Sequence, residues 1–341
     1  MENNSPLLAI VVPCYNEEEV LPETIKQLSC CLNDLVNDQL IHMDSKILFV
    51  DDGSRDHTWS IIARESIRNP LVTGIKLTRN VGHQNALLAG YLVAKEKCDC
   101  AISIDCDLQD DISVIRNFIE KYHQGYEIVY GVRDSRETDT WFKRTTALSF
   151  YRLMKKMGIH LVHNHADFRL LGKRALEELA KYEENNLFLR GIIPLLGFKA
   201  TEVYYDRKER FAGKTKYPLK KMLSFAINGI TSFSMMPIRI ITFLGFVLFF
   251  ISIFAGSYAL IQKVLGFTSA GWTSLMISIW FIGGLQLVAI GIIGEYIGKI
   301  FMEVKKRPKF AIDIDLYTKP MLGKQSIKDE LMVNLKHKKE G

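Results

Sequence analysis

The stretch Ala101-Ile102-Ser103-Ile104-Asp105-Cys106-Asp107-Leu108-Gln109-Asp110 decides the fold. A short, mostly apolar run breaks into acidic side chains at its carboxyl end, as a buried strand bounded by a turn does. Working outward, the same pattern recurs. Leu7–Pro13, Lys46–Asp51, Val72–Leu77 and Ile128–Val132 read as strands around Ala101–Asp105. Between them, Glu17–Leu32, Thr58–Ile67, Ala86–Lys95 and Ile112–Tyr122 carry apolar residues at helical spacing. Strands alternating with helices predict an α/β domain, with a mainly parallel sheet covered on both faces. In such sheets ligands bind at the carboxyl ends of the strands. The polar clusters fall there: Tyr15-Asn16-Glu17, Asp51-Asp52-Gly53-Ser54 and Asp105-Cys106-Asp107.

The far end of the chain is different. Ile238–Gln262 and Thr273–Phe301 are apolar stretches, each long enough to cross a bilayer, with only Lys263–Trp272 between them. They predict a two-helix transmembrane hairpin over 237–302. Tyr217–Met236 mixes apolar and basic residues and predicts an interfacial amphipathic helix. Residues 1–216 would form the catalytic domain and 303–341 a basic cytoplasmic tail, weakly ordered after Lys309. Lys220-Lys221, Lys305-Lys306-Arg307 and Lys309 flank the apolar stretches, whereas the intervening loop carries only Lys263. That asymmetry places the catalytic domain and both termini on the cytoplasmic side of an inner or plasma membrane. The first residues lack the basic and apolar regions of a cleaved signal peptide. Trp141–Met157 also reads as a helix.

Composition excludes several classes. A net charge of +6 over 341 residues gives no signal for nucleic acid. The six cysteines, 14, 30, 31, 98, 100 and 106, match no zinc spacing, and His160, His163 and His165 fit no standard metal site. Neither a G-x-G-x-x-G nor a phosphate-binding G-x-x-x-x-G-K-[ST] is present, which argues against a dinucleotide-binding dehydrogenase and a P-loop NTPase.

Two carboxylates two residues apart at a strand end suit a hard cation such as Mg²⁺ or Mn²⁺. That cation would bridge the phosphates of a nucleotide-sugar. The spacing alone is weak, since roughly one D-x-D is expected by chance in a chain of this composition. Asp313-x-Asp315 is such a decoy. The strand before Asp105 and the Leu-Gln-Asp after Asp107 single out the first pair. Asp51-Asp52-Gly53-Ser54 alone would read as turn-capping groups, but it accompanies Pro13-x-Tyr15-Asn16-Glu17 at the end of another strand.

Taken together, Val12-Pro13-x-Tyr15-Asn16-Glu17, Asp51-Asp52-Gly53-Ser54, Arg79-Asn80-x-Gly82 and Asp105-x-Asp107-Leu108-Gln109 resemble the inverting glycosyltransferases of family 2, with the Rossmann-like glycosyltransferase-A fold. Asp167-Phe168-Arg169-Leu170, Arg210-x-x-Gly213-x-Thr215-Lys216-Tyr217 and Gly294-Glu295-Tyr296-Ile297-Gly298 resemble the polyprenyl-phosphate branch. That branch holds dolichol-phosphate mannose synthases and bactoprenol glucosyltransferases. The likeness spans roughly residues 7 to 310. Thr215 stands where the family often has Ser.

The resemblance implies a metal-dependent membrane enzyme transferring one sugar, with inversion, from a nucleotide-sugar to undecaprenyl or another polyprenyl phosphate. UDP-glucose is the first candidate donor, with UDP-N-acetylglucosamine, UDP-galactose and GDP-mannose open. By position, Pro13, Tyr15, Glu17 and Asp52, beside Asp51, would line the base and ribose pocket. Asp105 would contact the nucleotide and Asp107 would hold the metal, with Gln109 near the donor sugar. Arg210 and Lys216 would lie on a loop closing over the diphosphate, where Gly213 supplies freedom and the cations suit a departing anion.

Asp167 is open between two roles. A hydroxyl acceptor needs a general base, but a lipid phosphate, with a second pKa of about 6, is already nucleophilic at neutral pH. Asp167 is therefore either a base or an orienting or metal-side group. Arg133, Arg136, Lys143 and Arg144 either grip the acceptor phosphate or form a basic face toward anionic lipid. Gly294-x-x-x-Gly298 allows close helix contact, with the first membrane helix or with another protomer in a homo-oligomer. Two other functions compete. A processive polysaccharide synthase would carry Gln-x-x-Arg-Trp, and none of Trp59, Trp141, Trp272 and Trp280 follows an Arg. A non-catalytic nucleotide-sugar-binding membrane protein would have broken acidic motifs, and here they are intact.

Overall fold

Long apolar strands buried on both faces set the frame. The computed structural model describes residues 5–133, 165–184, 188–206, 236–265 and 271–319. Strands β1 (Leu8–Cys14), β2 (Lys46–Asp51), β3 (Val72–Leu77), β4 (Cys100–Ser103), β5 (Ile128–Arg133), β6 (His165–Gly172), β7 (Ala200–Tyr205) and β8 (Ile312–Asp315) form one sheet, in the order β7-β5-β6-β4-β1-β2-β3-β8. The β4-β1-β2-β3 block is parallel, as is β5 with β7, whereas β6 and β8 run antiparallel to their neighbours. The expected mainly parallel α/β sheet is therefore present, with antiparallel additions.

Helices α1 (Leu21–Asn37), α2 (Thr58–Arg68), α3 (His83–Ala94), α4 (Ile115–His123), α5 (Lys173–Leu179) and α6 (Leu189–Leu195) belong to the same unit. Helix α1 buries Leu21, Ile25, Leu28, Leu32 and Leu35, one face of a 3.6-residue period. It starts at Leu21 rather than Glu17, because Pro22 lacks an N–H and suits only the first turn. Helix α3 lies close on the sheet at Gly90, where a Cβ would come within 2.3 Å of Val11 and 2.9 Å of Val50. That close seat fixes where His83, the first residue of α3, emerges at the strand ends. Helix α4 follows a 3-10 turn, Ile112–Val114, capped by the Asp111 carboxylate on the Ser113 amide.

The segment after the apolar stretches corrects an expectation. The described part of the tail, 309–319, is built into the sheet unit: β8 pairs with β3, and Ile314, Leu316 and Tyr317 are buried. Ile312-Asp313-Ile314-Asp315 alternates apolar and acidic residues, the period of an edge strand, and it covers the open side of β3. Asp313 pairs with Lys76 at 3.9 Å, and Asp315 accepts the Tyr317 and Thr318 amides at 2.9 and 2.8 Å. The second D-x-D thus does structural work. Among the described residues, 308–319 group with the sheet unit.

The other unit contains helices α7 (Met236–Val264) and α8 (Trp272–Val304), which span both apolar stretches. Among the described residues one segment, Phe281–Val304, has the length and apolar composition to cross a membrane. Among the described residues, a Cβ on Gly283, Gly284, Gly291, Gly294 or Gly298 would meet nothing within 4 Å. The expected interfacial helix, as far as residue 235, and the expected helix at Trp141–Met157 lie outside the described residues.

Candidate active site

The loops after β1 and β2 are stitched together by short polar side chains. The Asn16 amide donates to Ser54 Oγ at 3.0 Å, the Arg55 amide to Asn16 Oδ1 at 2.9 Å, and the Glu17 amide to Thr58 Oγ1 at 2.9 Å. Tyr15 is exposed, with Pro13 and Glu17 part-buried beside it. Asp51 and Asp52 are both buried. Burial raises the pKa of each, against hydrogen bonds to their carboxylates that lower it. Asp52 accepts the Val81 amide at 2.7 Å and the Gly82 amide at 3.0 Å, tying the Arg79–Gly82 loop to the end of β2. Gly53 makes this approach feasible: its φ is +65°, and a Cβ there would sit 2.6 Å from the Arg79 carbonyl carbon.

The Asp105–Asp110 loop leaves the end of β4. The Cys106 carbonyl accepts the Thr24 hydroxyl at 2.7 Å, which fastens the loop to α1. Leu108 has φ +58°, and the Gln109 amide donates to Asp107 Oδ1 at 3.3 Å. Asp110 is buried and receives Arg133 at 3.0 Å and the Tyr205 hydroxyl at 2.5 Å. The Arg133 guanidinium, expected at the acceptor phosphate, is therefore balanced by a carboxylate from the D-x-D loop.

Asp167, on β6, is the hub. Arg169 donates to its Oδ1, and Arg190 from α6 grips both oxygens, Nε at 3.2 Å and a terminal nitrogen at 3.1 Å. His83 Nε2 lies 3.4 Å from Asp167 Oδ2 and 3.7 Å from Asp105 Oδ1. Gln84 completes the hub, with its amide nitrogen 3.5 Å from Asp167 and its oxygen accepting the Leu189 amide at 3.1 Å. Burial opposes the charge on Asp167, but the two guanidiniums and His83 outweigh it and hold the carboxyl well below the usual range. His83 is pushed up to about 9: burial resists its charging, and the Asp167 bond with the Asp105 and Asp167 charges overcomes that. Asp105 is pushed up to about 6 by burial, eased by His83 and reinforced by Asp110, Asp167 and Asp107.

A carboxylate so crowded by other carboxylates fits a divalent cation. Among the described residues no three His, Cys, Asp or Glu side chains converge as a metal cage. A cation on Asp105 and Asp107 would draw its other ligands from water and diphosphate, as Mg²⁺ and Mn²⁺ do in nucleotide sites.

The sequence-predicted residues of β1, β2 and β4 thus gather at neighbouring strand ends, with Asp167 linked to Asp105 through His83. Arg136, Lys143, Arg144, Arg210, Gly213, Thr215 and Lys216 lie outside the described residues, as do His160 and His163. His83, Gln84 and Arg190 escaped the sequence reading. Their one signal was that His83-Gln84 directly follows Arg79-Asn80-x-Gly82.

The chain is similar to known proteins. Residues 9–180 match the model of glycosyl transferase family 2. Over 321 residues, 94% of this chain and 95% of the relative, the sequence is 70% identical to the uncharacterized glycosyltransferase YkoT of Bacillus subtilis (strain 168). It is 40% identical over 310 residues to the SfII prophage-derived bactoprenol glucosyl transferase of Shigella flexneri, covering 89% of this chain and 97% of that one. Among solved structures, glucosyl-3-phosphoglycerate synthase of Mycobacterium tuberculosis with phosphoglyceric acid aligns at TM-score 0.45 and 16% identity, over 67% of this chain and 79% of that chain.

Proposed function

The chain belongs to glycosyltransferase family 2, and from that premise we propose that it transfers one sugar from a nucleotide-sugar to a polyprenyl phosphate, with inversion at the anomeric carbon. One observation carries the choice of acceptor. The Asp167 carboxylate, where a hydroxyl acceptor would need a base, is held by Arg169, Arg190 and His83. A carboxylate so stabilised is a poor base at neutral pH. A phosphate dianion needs none. The name of the Shigella flexneri relative supports bactoprenol as acceptor and glucose as the sugar, so UDP-glucose is the proposed donor.

The residues divide the work. Pro13, Tyr15, Glu17, Asp51 and Asp52 flank the proposed nucleoside pocket, and Asp52 keeps the Arg79–Gly82 loop beside it. Asp105 and Asp107 would hold Mg²⁺ or Mn²⁺, which when bound supplies positive charge to the diphosphate. Gln109 is proposed at the donor sugar, and Arg210 and Lys216 at the diphosphate. An oxygen of the acceptor phosphate forms the bond to the anomeric carbon. The bond from that carbon to the diphosphate breaks, and its electron pair leaves with the nucleoside diphosphate. No proton has to be removed.

The apolar helices serve this chemistry by confining enzyme and lipid to one surface. We read α7 and α8 as a two-span hairpin, with the sheet unit and both termini cytoplasmic; the basic flanks support that orientation.

The test is to incubate membranes containing the protein with undecaprenyl phosphate and a panel of labelled nucleotide-sugars. Label extracted with the lipid from UDP-glucose supports the reading. Label in no lipid from any donor refutes it.

A further inference from the structure

We propose that Thr24 and Tyr205 are positioning residues for metal capture: they clamp the Asp105–Asp110 turn from its two ends and so set the spacing of the Asp105 and Asp107 carboxylates. This rests on the reading above that these two carboxylates hold Mg²⁺ or Mn²⁺. Both residues act through the turn that carries the ligands.

Burial alternates along the turn. Cys106, Leu108 and Asp110 are buried, whereas Asp105, Asp107 and Gln109 are part-exposed. One side of the turn therefore carries the proposed ligands, and the other carries its attachments. Those attachments are polar and directional at both ends. The Thr24 hydroxyl, fully buried on α1, lies 2.7 Å from the Cys106 carbonyl and 3.2 Å from the Val20 carbonyl of its own helix. A hydroxyl has one proton, and the shorter contact, to the turn, takes the larger share of it. At the other end Asp110 Oδ1 accepts the Tyr205 hydroxyl at 2.5 Å and Arg133 at 3.0 Å. A buried carboxylate is costly unless paired in this way, and the pairing fixes its direction as an apolar side chain would not.

Both clamps stand on packed elements. The Tyr205 ring is edge-on to Phe168, with centroids 5.5 Å apart and planes at 85°. Phe168 in turn packs on Phe118 of α4 at 4.6 Å. Thr24 belongs to the buried face of α1, with Leu21, Ile25 and Leu28. Between the clamps Leu108 keeps φ +58°, a conformation that a residue with a Cβ rarely adopts unless its surroundings impose it. The Cys106 attachment separates Asp105 from Asp107, and Asp110 lies three residues beyond Asp107. Release of either end therefore lets one carboxylate drift relative to the other. A small hard cation such as Mg²⁺ tolerates little drift, because its ligand geometry is narrow.

The test uses the full chain in detergent. Thr24→Val, Thr24→Ser and Tyr205→Phe are compared with the unaltered protein in four measurements. These are Mn²⁺ affinity by electron paramagnetic resonance at fixed UDP, metal-free UDP affinity, melting temperature, and kcat for transfer from UDP-glucose to farnesyl phosphate. Ser45→Ala is the control: it removes another fully buried hydroxyl, one that accepts the Leu8 amide at the start of β1, the opposite end of that strand from the site. Thr24→Val and Tyr205→Phe are each expected to weaken Mn²⁺ binding about tenfold. Thr24→Ser should keep the unaltered affinity, and excess Mn²⁺ should restore most of the turnover that the other two lose. Metal-free UDP affinity should hold within about twofold in every variant. Ser45→Ala should lower the melting temperature with no change in Mn²⁺ affinity. If Thr24→Val does not fold, Tyr205→Phe, which keeps the ring, decides. Unchanged Mn²⁺ affinity in a folded variant would overturn the clamp at its end, and equal weakening in Ser45→Ala would overturn both. An unaltered protein that binds no Mn²⁺ in the presence of UDP would instead overturn the metal reading.

Discussion

Arg190 holds Asp167 by a two-pronged grip, Nε on one carboxylate oxygen at 3.2 Å and a terminal nitrogen on the other at 3.1 Å. The fork comes from α6 and the carboxylate from β6, so a catalytic-looking aspartate is also a brace between elements. Among the described residues Arg169, on the same strand, pairs with no other carboxylate. Asp167→Asn should therefore do more than remove a base. It should strand two guanidiniums and lower stability by about 3–5 kcal/mol, the usual loss when one member of a buried pair is deleted. Thermal melts of the full chain measure this. A variant with an unchanged melting temperature and no activity would identify Asp167 as a base and not a brace.

His83 gives a pH signature. Its pKa is raised to about 9, above the roughly 6.5 of an unfolded histidine. A raised basic group contributes stability that is complete below about 6.5 and disappears as pH rises through about 9. Apparent melting temperature should fall between pH 7 and 9.5, and His83→Gln should flatten that part of the profile. Equal slopes in the two proteins would show that His83 is not charged in the fold.

Asp107→Asn should leave the fold intact while removing a charged ligand. Turnover should drop by about two orders of magnitude or more, with little rescue by excess Mn²⁺. Full turnover of the unaltered protein after treatment with a chelator would sink the metal assignment.

Gly53 is required by space and by backbone conformation together. Gly53→Ala places a Cβ against the Arg79 and Asn80 backbone at φ +65°, and backbone has little room to yield. The loop tied to Asp52 should shift, with a loss of more than about 1 kcal/mol in stability and weaker UDP binding. Calorimetric titration with UDP checks this; unchanged affinity would detach the Arg79–Gly82 loop from the nucleotide site.

The returning strand alters how the protein can be cut. Ending the chain before Ile238 removes β8 along with the apolar helices and exposes the edge of β3. Ile314→Asp in the full chain isolates the effect: it buries a charge at a core position and should cost about 2–4 kcal/mol, read as a lower melting temperature. An unaffected melting temperature would make β8 dispensable.

Much of this was legible from residue order. Unbroken apolar runs such as Leu8–Val12 can be buried on both faces only in a covered sheet, and acidic turns after them mark a ligand edge. Local patterns were enough for the first five strands. What escaped was set by distant partners. Ile312–Asp315 has strand alternation, but it is only four residues long and its partner β3 is more than 200 residues earlier. Arg133 looked like an available cation because nothing local reveals that Asp110 and Tyr205 meet it. His83 and Arg190 carry no motif of their own, and only the fold brings them to one carboxylate.

The central claim is that one sugar, without its phosphates, moves onto an existing lipid phosphate. Mass spectrometry of undecaprenyl phosphate extracted after reaction with the purified chain, UDP-glucose and Mn²⁺ tests it most directly. The account predicts a lipid heavier by a single hexose that retains one phosphate, with one UDP released for each product. A lipid carrying a diphosphate, a lipid carrying several sugars, or an unchanged lipid would contradict it.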